Sequence, residues 1–274
     1  MAFFTRLSNG WEAAKVSFKV LNAQKELIIF PILSGLSFAL VIASFFTGLL
    51  ANVGWNIHNI DLPDGSARYL LIFAFYIVTY FISVFFNMAL MHCVRLYLHG
   101  EQVSIGKGIR FSLSRIVAIF SWAIFAATVG VLLKLLQDNL GWLGKLFIGI
   151  VGFVWSAATF FAVPVIAYEN RTPYEALKRS AGIMKERWGE SIGANFSIGL
   201  LTVFPFIVIV IIGMGISEAV NEQAGIWIFV IGGLAMIIIA NTLRSIFISV
   251  LYDHLTKPGD HIDQQMIDNL FVEK

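Results

Sequence analysis

The sequence predicts an all-α polytopic membrane protein: six transmembrane helices in three parallel repeats, each repeat opened by an amphipathic interfacial helix. Three observations carry this. Six apolar runs, at 27–50, 69–91, 116–133, 146–168, 192–216 and 226–243, have the length of ~20 residues that a helix needs to cross a bilayer. Sixteen of the nineteen lysines and arginines fall in alternate segments between the runs. A short basic signature, Ala176-Leu177-Lys178-Arg179-Ser180, has fainter relatives at Ala13-Ala14-Lys15-Val16-Ser17 and Gly108-Ile109-Arg110-Phe111-Ser112, each ahead of an apolar run.

Composition agrees with the class. Hydrophobic residues make up 58% of the 274 and charged ones 13%, with a mean hydropathy of +0.81, against the roughly 25% charge of soluble domains. The segments between runs are too short for a soluble catalytic domain, so the chain is expected to act within the bilayer or at its faces. We read 1–274 as a single membrane domain with repeat units at about 5–98, 100–168 and 169–252 and a cytoplasmic tail at 257–274. The first run lies behind four basic residues and is longer than the apolar part of a signal peptide, so it is expected to serve as its own insertion signal. A lone Cys93 rules out an intrachain disulfide and a cysteine-based metal cluster. The basic segments place both termini and both central surface helices in the cytoplasm, which requires an even number of spans.

Taken in order, Phe4, Leu7, Trp11, Ala14, Phe18 and Leu21 form an apolar stripe with Arg6, Glu12, Lys15 and Lys19 off it. This is an interfacial helix or an arm packed on the bundle. In the first span Gly35, Ala39, Ala43 and Thr47 form a small-residue ridge for helix packing. The external loop at 51–68 holds Gly54, Pro63 and the turn-forming Asp64-Gly65, with Trp55 at the interface. The second span is expected to run on as helix to Leu98, because nothing after Met91 breaks it. His92, Arg95 and His99 then share a face just inside the cytoplasm. Without a carboxylate or thiol completing a ligand set, they read as a wet polar face.

Ser104 opens the middle surface helix, which leads directly into the third span. Lys134 and Lys145 bracket a tight external turn and snorkel to the headgroups. Gly149, Gly152 and Ser156 give the fourth span a small face. The third surface helix is the best specified: Thr172 caps it, Pro173 occupies its first position, and Glu175 completes a capping box. Tyr174, Leu177, Ala181, Met184 and Trp188 form its apolar stripe, with Lys178, Arg179, Lys185 and Arg187 around the rest. Pro205 is expected to kink the fifth span. The sixth carries Gly232-Gly233 and closes at Arg244. Beyond Pro258 the tail turns polar, and Asp260 with Asp263 can start a short helix bearing Ile262, Met266 and Leu270. His254, His261 and these aspartates match no zinc or calcium spacing, so neither metal nor cofactor is expected.

No span carries an acid, which argues against strong ion coupling, and the spans lack the nucleophile and base that an intramembrane enzyme needs. The protein is expected not to be an enzyme. Asn87 in the second span and Asn241 in the sixth fall at matching heights of their repeats and form a candidate polar intramembrane pair. Interhelical hydrogen bonds of ~0.6 to 2 kcal/mol explain them, as does a polar ring lining a passage.

Around Pro164, Glu169, Ala176, Leu177, Ser180 and Trp188, with weaker echoes at Lys15 and Ser17, the chain resembles uncharacterised prokaryotic six-span membrane proteins of unknown function. They are in turn distantly similar to the membrane domain of some glycerophosphodiester phosphodiesterases. The resemblance implies a bacterial or archaeal cytoplasmic (inner) membrane and brings no catalytic residues. The expected function is therefore a structural or accessory membrane module with interfacial helices on the inner leaflet. The alternative is a passive channel or carrier for an uncharged or apolar solute. Expected partners are the lipid bilayer and its anionic headgroups, with a second copy of the chain or another membrane protein beside them, and no nucleic acid.

Overall fold

The computed structural model describes residues 15–52, 55, 65–139, 141–186 and 205–256, and among them every regular element is helical. Residues 15–23 form α1, and a tight turn of helix at Lys25–Ile28 leads into α2 (Ile29–Asn52). Then come α3 (Ser66–Leu98), α4 (Ile105–Ser114), α5 (Ile116–Asn139), α6 (Trp142–Ala158), α7 (Ala162–Glu169), α8 (Pro173–Glu186), α9 (Pro205–Ala219) and α10 (Glu222–Thr256).

Five stretches of helix are long and apolar enough to cross a membrane: Lys25–Ala51, Ser66–Leu98, Ile116–Asn139, Leu146–Glu169 and Glu222–Thr256. They coincide with five of the six runs seen in the sequence. The remaining run, 192–216, lies only partly within the described residues, where its latter part forms the shorter apolar helix α9. The expected kink at Pro205 falls at the edge of that description. The stripe residues Phe4, Leu7, Trp11 and Ala14, the loop residues Gly54, Pro63 and Asp64, Arg187 and Trp188, and the tail at 257–274 lie outside the described residues.

Two elements differ from the sequence reading. The fourth span is not one continuous helix but α6 and α7 with an interruption at residues 159–161. Pro164 sits in the first turn of α7, where it has no N–H to give to Phe160 and its ring crowds that carbonyl, so the ladder cannot run through. The Thr159 hydroxyl donates to the Trp155 carbonyl at 2.9 Å, closing the end of α6. The last helix, by contrast, does not stop at Arg244 but runs on to Thr256, because no glycine or proline intervenes before Pro258. At ~1.5 Å per residue its extra turns add about 18 Å.

The chain forms two compact units. One combines Met1–Pro31, Leu90–Lys107 and Lys185–Lys274, the other Ile32–Ala89 and Gly108–Met184, so the units cut across the expected repeats. In the first, Leu27 and Phe30 are buried, the turn at Lys25–Ile28 packs on α10, and the Ser249 hydroxyl donates to the Met91 carbonyl at 3.2 Å. In the second, α5 packs on α6, with Trp122 and Trp155 stacked at 6.5 Å between ring centres. The α5 backbone comes so close to α3 that a Cβ on Gly130 would meet the Tyr76 ring at 3.0 Å. Leu40, Val117, Phe147 and Ile231 are exposed. Apolar surface of this extent is costly in water and free of cost in hydrocarbon.

Candidate functional site

The residues that converge do so at the ends of spans, next to the basic segments. The first convergence is the corner between α7 and α8. Asn170 ends α7 in the left-handed conformation, with φ 51° and ψ 41°, which asparagine adopts more readily than other residues bearing a side chain. Its Oδ1 accepts a hydrogen bond at 2.9 Å from Nη1 of Arg115, at the entry to α5. The neighbouring Glu169 carboxylate meets the Nε of Arg171 at 2.6 Å and the Nε of Arg179 at 3.1 Å. Arg115 also lies over the Phe111 ring, 5.9 Å from its centre, and Phe111 contacts Tyr168. Three guanidiniums thus gather about two consecutive residues.

The expected capping box forms with a change of detail. Glu175 Oε2 accepts from the Thr172 N–H at 3.0 Å, as anticipated, and also from the Thr172 hydroxyl at 2.8 Å. Those two hydrogen bonds, the hydroxyl's first, hold the Glu175 carboxyl below its usual range, with the Arg171 charge adding to them.

Helix α8 divides into three sectors. Ala176, Ser180, Ile183 and Met184 are buried; Leu177 and Ala181 are half-buried and Tyr174 is exposed; Lys178, Arg179 and Lys185 are exposed. Of the anticipated apolar stripe only Met184 is enclosed, and the enclosed face joins it to Ala176, Ser180 and Ile183. The reason is visible at Ser180, whose Oγ accepts the Phe161 N–H at 2.9 Å, where the α6–α7 interruption leaves that donor without a helical partner. In α4 the equivalent Ser112 is fully buried and donates to the Phe85 carbonyl at 2.9 Å, and Gly108, one turn earlier, is buried like Ala176. Ser17 is enclosed as well, at 1% exposure. The sequence shows serine closing all three copies of the signature, but not that this serine is the enclosed, hydrogen-bonding residue.

The second convergence joins α3 and α10. Asp253, 4% exposed, meets Arg95 Nε at 3.2 Å and His99 Nε2 at 3.7 Å, while Nδ1 of His99 lies 2.8 Å from the Arg95 carbonyl. The wet polar face expected of His92, Arg95 and His99 is thus half-enclosed and has a carboxylate partner. It was missed because Asp253 belongs to the part of α10 that the sequence reading left out of the last helix. Cys93 is buried, with its thiol 3.4 Å from the Ser104 carbonyl.

The two asparagines fall in different units. Asn87 is half-buried, and its Oδ1 is enclosed without a hydrogen-bond donor among the described residues. Asn241 is exposed. On α3, Tyr69, Tyr76, Tyr80 and Asn87 recur at helical spacing and share one face.

Apolar helices of spanning length, carrying their ionic contacts at the span ends, define a multi-pass α-helical membrane protein. Residues 66–260 match the DUF6159 family, a family of unknown function, and the chain belongs to that family. No curated protein matches the chain.

Proposed function

We propose that the protein is a non-enzymatic structural or accessory module of a cytoplasmic (inner) membrane, crossing it six times with both termini on the cytoplasmic side. The observation that carries this reading is the three-sector division of α8. A helix with a buried face, an apolar flank and an exposed cationic face is shaped to lie where protein, acyl chains and headgroups meet. In α4, Gly108 and Ser112 are buried while Lys107 and Arg110 are exposed, which extends the same reading to a second surface helix. Three copies of the signature, each with an enclosed serine, support three parallel repeats. The partners of this reading are anionic headgroups of the inner leaflet, with a second copy or another membrane protein alongside. On this reading the likeness to the membrane domain of glycerophosphodiester phosphodiesterases is indirect, through the six-span group matched at Pro164, Glu169, Ala176, Leu177, Ser180 and Trp188. Of these, Pro164, Glu169 and Ser180 lie about the break between α6 and α7 and the start of α8. In this chain those residues shape the α7–α8 corner, so the likeness is read as one of scaffold.

The alternative, a passive channel or carrier for an uncharged or apolar solute, is favoured by the α3 stripe of Tyr69, Tyr76, Tyr80 and Asn87. A polar row down a spanning helix calls for partners or water. Purified protein reconstituted into vesicles and challenged with water, glycerol and urea separates the two. The accessory reading expects permeation equal to that of protein-free vesicles. Permeation above that level, reduced by Asn87→Leu, would establish the passage instead.

A further inference from the structure

We propose that Arg115, Arg171 and Arg179 form a binding site for the phosphate of an anionic phospholipid, whose acyl chain lies on the exposed apolar face of α5. The inference rests on the inner-leaflet reading above and deepens it by naming a site and a ligand class.

The charge count at the corner comes first. Arg171 and Arg179 share the Glu169 carboxylate, and Arg115 is tied to the next residue, the uncharged Asn170. The nearby Glu175 carboxylate is engaged by Thr172. Glu175 keeps its charge and lies within electrostatic reach of Arg171, so three guanidiniums gather about two carboxylates, Glu169 and Glu175, and the one positive charge in excess is offset by a further anion.

Geometry selects the kind of anion. Arg171 and Arg179 both approach Glu169 through Nε, and Arg115 reaches Asn170 through one Nη, so each guanidinium keeps N–H groups for another acceptor. Planar forks of this kind match the tetrahedral oxygens of phosphate.

Location selects a lipid over a free ion. Arg115 immediately precedes α5, and Ile116, Val117, Phe120 and Ile124 on that helix are exposed at 42%, 77%, 49% and 37%. Glu169 closes the other span at the corner. Both spans therefore end at these arginines, which is the level of the headgroups, and the apolar surface begins one residue further on. Lys178 and Lys185 are also exposed on α8 but bond to neither Glu169 nor Asn170, which makes them internal controls.

The full-length protein, purified in detergent, is titrated with dioleoylphosphatidylglycerol and separately with dioleoylphosphatidylcholine, and bound lipid is counted by native mass spectrometry. The expected result is selective retention of the anionic phosphatidylglycerol, weakened about fivefold by Arg115→Gln or by Arg179→Gln, in line with ~1 kcal/mol per cation at a membrane surface. Lys178→Gln and Lys185→Gln should leave it unchanged. Equal losses from the lysine variants would mean diffuse attraction and overturn the site, as would equal retention of both lipids by the unaltered protein, a comparison that needs no variant. Displacement of the lipid by excess inorganic phosphate would assign the site to a soluble ion instead. Solute permeation together with intact lipid selectivity would sink the accessory reading and leave this site standing; loss of selectivity without permeation would do the reverse.

Discussion

A serine hydroxyl enclosed among apolar side chains is stable only when hydrogen-bonded, and Ser112 and Ser180 meet that need in opposite ways. Ser180 accepts from the Phe161 N–H, a donor set free by the α6–α7 interruption. Ser112 donates to the Phe85 carbonyl, which lies in the uninterrupted helix α3 and already serves its own ladder. Ser180→Ala therefore strands a buried donor, at a cost of about 1–3 kcal/mol, while Ser112→Ala removes only a supplementary bond worth about 1 kcal/mol. Thermal unfolding in detergent should show the larger drop in midpoint for Ser180→Ala; an equal or reversed order would refute this account of the corner. Little of it was legible beforehand. The signature could be seen to repeat, and the positions of its cations on the surface followed from helical spacing. Which side the serine faced depended on a break in another helix, which a scan for apolar length passes over. The Arg95–Asp253 contact stayed hidden for a similar reason, since the pairing residue lay beyond the point where hydropathy ends the span.

Elements were read well where local chemistry decides them. The start of α8 is set by Thr172, Pro173 and Glu175 within four residues of one another, and it forms at Pro173 as expected. The end of α6 and the true length of α10 depended on proline placement, which hydropathy does not weigh. The capping contact also gives α8 a pH dependence with a definite sign. Because the folded structure holds the Glu175 carboxyl below its ordinary range, the contact stabilises the first turn fully above the unfolded value, about 4.3. It is lost as pH falls through the folded value. Amide exchange in the first turn of α8, corrected for intrinsic rates, should accelerate on acidification below about pH 4. In Glu175→Gln the turn should exchange faster at neutral pH and lose that acid response. An unchanged response in the variant would assign it to another group.

For the molecule as a whole, the number of crossings turns on one stretch. Five helical stretches of spanning length and apolarity are present among the described residues, and about half of the sixth run, 192–216, lies beyond them. Cysteine accessibility can decide, because Lys107, Asn139, Lys185 and Glu222 are all exposed. Reactivity at these positions reports the side of the membrane and not burial. Native Cys93 is buried and stays silent. With an impermeant maleimide applied to intact cells, Asn139→Cys and Glu222→Cys should label and Lys107→Cys and Lys185→Cys should not, whereas all four should label after permeabilisation. The pair Lys185 and Glu222 carries the test: opposite sides require one crossing between them, which only the run at 192–216 can supply. If Glu222→Cys is protected together with Lys185→Cys, that run does not cross. The chain would then have five spans, its termini would lie on opposite sides, and the alternation of basic segments would have been misleading about the last repeat. If both label from outside, α8 faces the other leaflet, and the proposed headgroup site moves with it.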